Sequence, residues 1–326
     1  MHKSKLFLST KLLVLTLTVC VNFASNAQDY PTKPIKMIVP YTPGGSIDNT
    51  CRLMADQLQR QLGQSIVIDN IPGASGLVGT LIAKKAKPDG YTLLCNASSQ
   101  VYLPLVMSKK TYDAELDFTP IGQIGYVPLV VVVNNDIPVK TLADLVKLAR
   151  SNPGKYTWAT SGLGTTSNLS EEIFNRELSM GMEIIAYKGA VPQLTDVIGG
   201  HVSAAVSPMP GVSSFIQAGR LHAIGVTSKT RIPSMPDVPT VSESGLPGYE
   251  LLSWYGIWAP ANLPKSMTDR LNAEMSKAVD NPGLKAKFAG LSFVPNQSSA
   301  DQFKTLIKDD LKKIGKIVKD AKIQID

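Results

Sequence analysis

Residues 41–48, "YTPGGSID", join an apolar, β-rich run ("IKMIVP") to a stretch whose apolar residues return every three or four positions. A Gly-rich turn between a strand and a helix leaves backbone N–H groups uncovered, and the helix adds its positive end. That combination suits an anion. Phosphate loops use such turns, and so do sites for other anions. Here the loop holds no Lys, Arg or His, and the chain has no G-x-x-x-x-G-K-[ST], which argues against phosphate. Asp48 is the only acid beside the loop. It either caps the helix as a first-turn acid or orients the loop by accepting its N–H groups, and the two roles are compatible. Small and hydroxyl-bearing residues follow other expected strands as well, at 96–99, 160–167, 188–189 and 207–208. In open α/β sheets, ligands gather outside the carboxyl ends of the strands.

Other chemistries find less support. "GLGTTSN" nearly imitates G-x-G-x-x-G, but Ser167 replaces the last Gly and no acid at the right distance clearly follows. There is no G-x-S-x-G elbow, and neither His201 nor His222 follows an expected strand end with a Ser partner. With no CxxC, HExxH or His cluster, no metal site, no catalytic residue and no cofactor are expected. A secreted hydrolase or lyase is the weaker alternative. Tyr41, Trp158 and Trp254 are candidates for stacking on an aromatic ligand, with core packing the plainer role.

The elements that must position these loops alternate. Ile47, Cys51, Met54, Leu58 and Leu62 mark a helix with Ser46 as its N-cap and Gly63 as its stop. "SIVIDN" is a strand, "IPGASG" a loop, Leu77, Leu81 and Ile82 a helix, and "YTLLCNASS" a third strand. This βα rhythm implies a parallel sheet flanked by helices. Residues 129–133 form a continuous run of Leu and Val, suited to a strand buried on both faces or passing between domains. The alternation then restarts as a second parallel sheet. A Pro/Gly/Ser-rich connection leads back to "LLSWYGIWAP", a strand, and two helical patterns close the chain.

Lys3, Lys5 and Lys11 border or interrupt an apolar run that ends in Ala24-Ser25-Asn26-Ala27. This is the pattern of a secretory signal cleaved near Ala27, too short for a spanning helix. Without those lysines the net charge falls from +7 to +4, scattered rather than patched, and no nucleic-acid partner is expected. Residues 28–326 are long enough for two domains of ~150. Cys51 and Cys95 remain, one on an apolar helix stripe and one ending an apolar strand. Two buried free thiols are the expectation, and a pair in an oxidising compartment is the alternative.

In order, "PYTPGGSID", "DNIPGASG", "PDGYTL", "AYKGAVPQLTDVIGG" and "PDVPTVSESGLPGYE…SWYGIWAP" resemble the Bug family. These are the periplasmic solute-binding proteins of the tripartite tricarboxylate transporter type. The resemblance implies a type II, two-lobed periplasmic-binding-protein fold, each lobe a mainly parallel α/β sheet flanked by helices. One domain would combine residues 28–128 and 252–326, the other residues 129–251 with crossover segments. It further implies a periplasmic monomer that captures a small organic carboxylate and serves an inner-membrane carrier, or alternatively a two-component sensor kinase. The matching ligand positions are Tyr41, Thr42, Gly44, Gly45, Asp48, Ser98, Ser99, Ser161, Gly162, Thr165, Thr166, Asn168, Lys188 and Ser207. Val206-Ser207-Pro208 stands where relatives often carry an acid. A dicarboxylate or aromatic acid is therefore expected in preference to an amino acid.

Overall fold

The computed structural model describes residues 30–320 and 322–324, and the expected signal segment lies outside them. Residues 33–326 form one unit. Its sheet begins with β1 (Ile35–Val39), β2 (Ile66–Asn70) and β3 (Thr92–Ala97), and β1 lies parallel between the other two. Three helices follow these strands: α1 (Ser46–Leu62), α2 (Leu77–Lys84) and α3 (Ser99–Val106). The apolar stripe of α1 is buried through Cys51, Met54, Leu58 and Leu62, and Gly63 ends the helix in the left-handed region at φ 66°.

The long β4 (Phe118–Val133) and the returning β9 (Leu252–Pro260) run antiparallel through the centre, with β9 between β3 and β4. The second half of β4 pairs instead with β7 (Ala204–Pro208) and β8 (His222–Val226). Beyond β7 lie β5 (Thr157–Thr160) and β6 (Glu183–Ala186), parallel to one another, and β5 is also parallel to β7. The helices here are α4 (Leu142–Ser151), α5 (Thr166–Glu177), α6 (Ala190–Ile198) and α7 (Met209–Gln217). The short β10 (Val294–Pro295) pairs with β4. Two expectations are refined. The parallel strands flank an antiparallel centre, and one sheet path runs through β4 where two sheets were expected. The chain also closes with three helices, α8 (Lys265–Asp280), α9 (Pro282–Gly290) and α10 (Ala300–Asp320), because Asn281-Pro282 breaks the helical pattern and Asn281 caps α9.

The core follows from side-chain alternation. Leu129, Val131 and Val133 enter one cluster with Trp158 and Phe174, while Val130 and Val132 enter another with Leu194 and Val212. A strand buried on both faces has no polar side to show, which is why this run does not alternate. The β1–β3 side has its own cluster, in which Trp254, Trp258 and Phe303 pack together with Tyr102. Trp158 and Trp254 are thus core residues.

Cys51 and Cys95 form a disulfide, with their Cα atoms 6.0 Å apart. This corrects the expectation of free thiols. The pairing depends on α1 lying across β3, a contact that a separation of 44 residues conceals. Among the described residues, no helix is long and apolar enough to cross a membrane.

Candidate functional site

The loop after β1 is built around Asp48. Gly44, at φ 84°, donates its N–H to Asp48 Oδ2 over 2.9 Å. Arg52 Nε reaches the same oxygen at 2.8 Å, and Asn70 Nδ2 donates to Oδ1 at 2.9 Å. The Asn70 amide also donates to the Tyr41 carbonyl (3.0 Å), tying the far side of the loop to the end of β2. Burial alone would raise the Asp48 pKa. The hydrogen bonds from Arg52, Gly44 and Asn70 outweigh it and hold the carboxyl below its ordinary value. The N-cap of α1 is Gly45, not Ser46 as expected. Ser46 is the first helical residue, and its Oγ shares a 2.7 Å hydrogen bond with the buried Tyr255 hydroxyl.

The loop after β5 repeats this construction with neutral groups. Gly164 donates its N–H to Asn168 Oδ1 (2.9 Å), again four residues ahead on the helix. Thr165 caps α5 by accepting the Asn168 N–H at 3.2 Å, and its own hydroxyl donates to the Gly162 carbonyl at 2.8 Å. The two loops meet. Ser98 Oγ and Thr166 Oγ1 lie 2.7 Å apart, and a Cβ placed on Gly189 would stand 2.5 Å from Thr42 Oγ1. A Cβ on Gly164, which sits at φ 70°, would stand 2.8 Å from Val106. Only glycine permits both approaches.

Between these loops lies a cavity of about 50 Å³, room for a few waters. The first residues or N-caps of α1, α3, α5, α6 and α7 all border it, through Gly45, Ser99, Thr165, Ala190 and Pro208. The first-turn amides of a helix have no partner within it. Of these five helices, only α5 has a side-chain cap. By contrast α4, which does not border the cavity, carries a full capping box from Thr141 and Asp144. The Oγ1 of Thr42 is buried without a partner, and it belongs to a lining residue. Asp48 is the only charged residue in the lining. The cavity therefore offers uncapped amide donors and hydroxyls and no cation, a setting for a small anion bound reversibly.

Residues 50–323 match the family described as "Tripartite tricarboxylate transporter family receptor". The chain belongs to that family. It is 34% identical over 299 residues to the protein BugT of Bordetella pertussis, covering 91% of each chain. Rpa4515 of R. palustris, solved with adipate, superposes with a TM-score of 0.88 at 31% identity, over 91% of this chain and 99% of that one. The periplasmic binding protein BugD superposes with a TM-score of 0.87 at 29% identity, over 90% and 99%. The α/β fold is thus that of the type II periplasmic binding proteins, and this receptor is a periplasmic solute-binding protein. Members of the family are binding proteins rather than enzymes, and His201 and His222 are exposed here and do not line the cavity.

The positions expected at the receptor's site separate into three groups. Tyr41, Thr42, Gly45, Asp48, Ser99, Ser161, Thr165 and Thr166 line the cavity. Gly44, Ser98, Gly162 and Asn168 stand behind that wall and shape it through the hydrogen bonds above. Ser207 is fully buried next to the lining residue Pro208, with its Oγ unpartnered. Lys188 is the exception. It is exposed and outside the lining, as suits an ammonium that stays hydrated on a long stem, while its neighbour Gly189 caps α6. Asp48 lines the cavity but spends its oxygens on the loop, so orienting the loop is its visible work.

Sequence reasoning missed Ser253 and Tyr255, which reach the cavity from β9. Strand period two places them on one face, a signal present in "LSWYGIW", but nothing in the sequence says that β9 lies beside β3. Tyr41 is buried at the opposite wall. Its hydroxyl donates to the Ser75 carbonyl (3.0 Å) and lies within hydrogen-bond reach of Ser99 Oγ (3.1 Å), and burial pushes its pKa up to about 12, so it stays neutral.

Proposed function

We propose that this receptor captures a carboxylate without an amino group in the cavity between the β1–β3 and β5–β7 sides and delivers it to a membrane carrier of the tripartite tricarboxylate type. One observation carries the reading. Five helix N-termini and the unpartnered Thr42 hydroxyl converge on one cavity whose only charged lining residue, Asp48, is matched by Arg52. An α-ammonium group would need a free acid, and the lining holds none beyond Asp48. The adipate complex of Rpa4515 supports the dicarboxylate class.

The mechanism is a population shift between open and closed forms. Residues 33–128 with 252–324 would form one lobe and residues 129–251 the other, with the chain crossing between Pro128 and Leu129 and again at Leu251–Leu252. The carboxylate binds the loop at 41–48 first. Closure then brings the loop at 161–168 across it and excludes water, and each charge-assisted hydrogen bond contributes ~1.5–3 kcal/mol. Calorimetric titration with mono-, di- and tricarboxylates, aromatic acids and amino acids tests this. Micromolar binding of a dicarboxylate, recovered unchanged and accompanied by compaction in solution scattering, is the expected result. Tighter binding of aspartate or glutamate than of any plain acid would overturn it.

A further inference from the structure

An acid is the only charged residue in the wall of a cavity suited to anions. Arg52, one turn further along α1, lies outside that wall with its side chain half exposed, while the Asp48 side chain is 2% exposed. The guanidinium makes two contacts of different purpose. Its Nε meets Asp48 Oδ2 at 2.8 Å, and its Nη2 donates to Asn70 Oδ1 at 2.8 Å. Asn70 in turn sends its own amide to Asp48 Oδ1 and to the Tyr41 carbonyl. Arg52, Asp48 and Asn70 thus form a closed ring of hydrogen bonds that includes the Gly44 N–H and the Tyr41 carbonyl at either end of the turn.

The second loop shows what such a ring is for. There the same glycine N–H is held by Asn168, a neutral acceptor, and no cation is needed. At the position equivalent to Arg52, four residues beyond, stands Glu172. A basic residue therefore accompanies the acid-built loop and is absent from the amide-built one. We propose that Arg52 is a positioning residue for anion capture. It cancels the charge of Asp48 and locks that side chain as acceptor for Gly44 and Asn70, so that the loop is formed before the ligand arrives and presents no net negative charge to it. The proposal rests on the carboxylate reading above. It assigns a binding role to a side chain that does not itself line the cavity.

The test is a charge cycle, with succinate as the probe at low ionic strength and folding followed by thermal unfolding. Arg52→Gln leaves Asp48 uncompensated, and an interaction of that range predicts affinity about tenfold weaker. Adding Asp48→Asn to that variant removes the repulsion while keeping an acceptor of the Asn168 type, and is expected to recover most of the loss. Added salt is expected to shrink the deficit of the single variant. A double variant as weak as Arg52→Gln, or an Arg52→Gln protein that binds like wild type, overturns the proposal. Hydrogen exchange in the ligand-free protein supplies a readout that needs no probe. Arg52→Gln is expected to speed exchange across residues 41–46 and leave residues 161–168 unchanged, and equal rates in the first loop would refute the locking role. Should succinate and every other carboxylate fail to bind wild type, the carboxylate reading falls while the exchange result still decides whether Arg52 orders the loop.

Discussion

The two loops that face each other across the cavity share a frame and differ in charge. In each, a glycine N–H is taken by a side-chain oxygen four residues ahead, Gly44 by Asp48 and Gly164 by Asn168. The first loop is ionic and braced from outside by Arg52, with the helix behind it tied to β3 by a disulfide. The second is neutral, and its helix carries Glu171, fully buried with no ion pair among the described residues. Burial holds the Glu171 pKa well above its ordinary value, only partly offset by the Val206 N–H that donates to Oε1 at 3.2 Å. One side thus holds its acid's pKa below the ordinary carboxyl value, and the other holds its acid's pKa above it. The same turn geometry is reached by either route. The ionic one has a counter-charge beside it, and the neutral one has none.

Removing the disulfide tests how much of the first side's rigidity is covalent. Cys51→Ser with Cys95→Ser is expected to reduce unfolding stability by about 4 kcal/mol, the loop-closure value for this separation, with ligand affinity much less affected. Denaturant titration with and without ligand measures both.

The two acids should give opposite pH dependences. Asp48, lowered in the fold, contributes stability that is full above pH 3.8 and lost as pH falls through its folded value. Glu171, raised in the fold, contributes stability that is full below pH 4.5 and lost as pH rises toward its folded value, at up to about 1.4 kcal/mol per unit. Glu171→Gln is expected to flatten the limb above pH 4.5 and Asp48→Asn the limb below 3.8. Thermal unfolding across pH 3–8 reads this, and a Glu171→Gln protein with an unchanged upper limb would break the contrast.

Closure should depend on the second loop's glycine. Gly164→Ala forces a side chain into the left-handed region and against Val106 and Leu103, so affinity is expected to fall about thirtyfold, for a combined penalty of about 2 kcal/mol. Scattering should then show a more extended ligand-bound form. The smallest effect belongs to Asn168→Ala, which orphans the Gly164 N–H while leaving the Thr165 cap of α5 in place, and should lower stability by about 1 kcal/mol. Asn168→Asp, lacking an Arg52 equivalent, should instead weaken carboxylate binding, which titration detects.

The βα alternation, the bare turn at 41–48 and the hydroxyl-rich segment at 161–168 were legible because each is set by local preference. Period, turn glycines and helix starts act over a few residues. Lys188 follows a strand end, and strand ends alone do not say which side chains face inward. The disulfide is hidden from the sequence for a related reason, since a helix stripe and a strand end look buried whether or not they touch.

Local sequence carries the chemistry on offer: two donor-rich loops, few fixed charges, and strands that bring them to a common edge. Folding settles which of those groups are already spent. Asp48 is taken by Gly44, Arg52 and Asn70, Ser98 by Thr166, and Ser46 by Tyr255 from a strand some two hundred positions away, while Thr42 is left without a partner. Hydrogen bonds saturate at short range, and only the folded chain fixes which donors and acceptors come within that range.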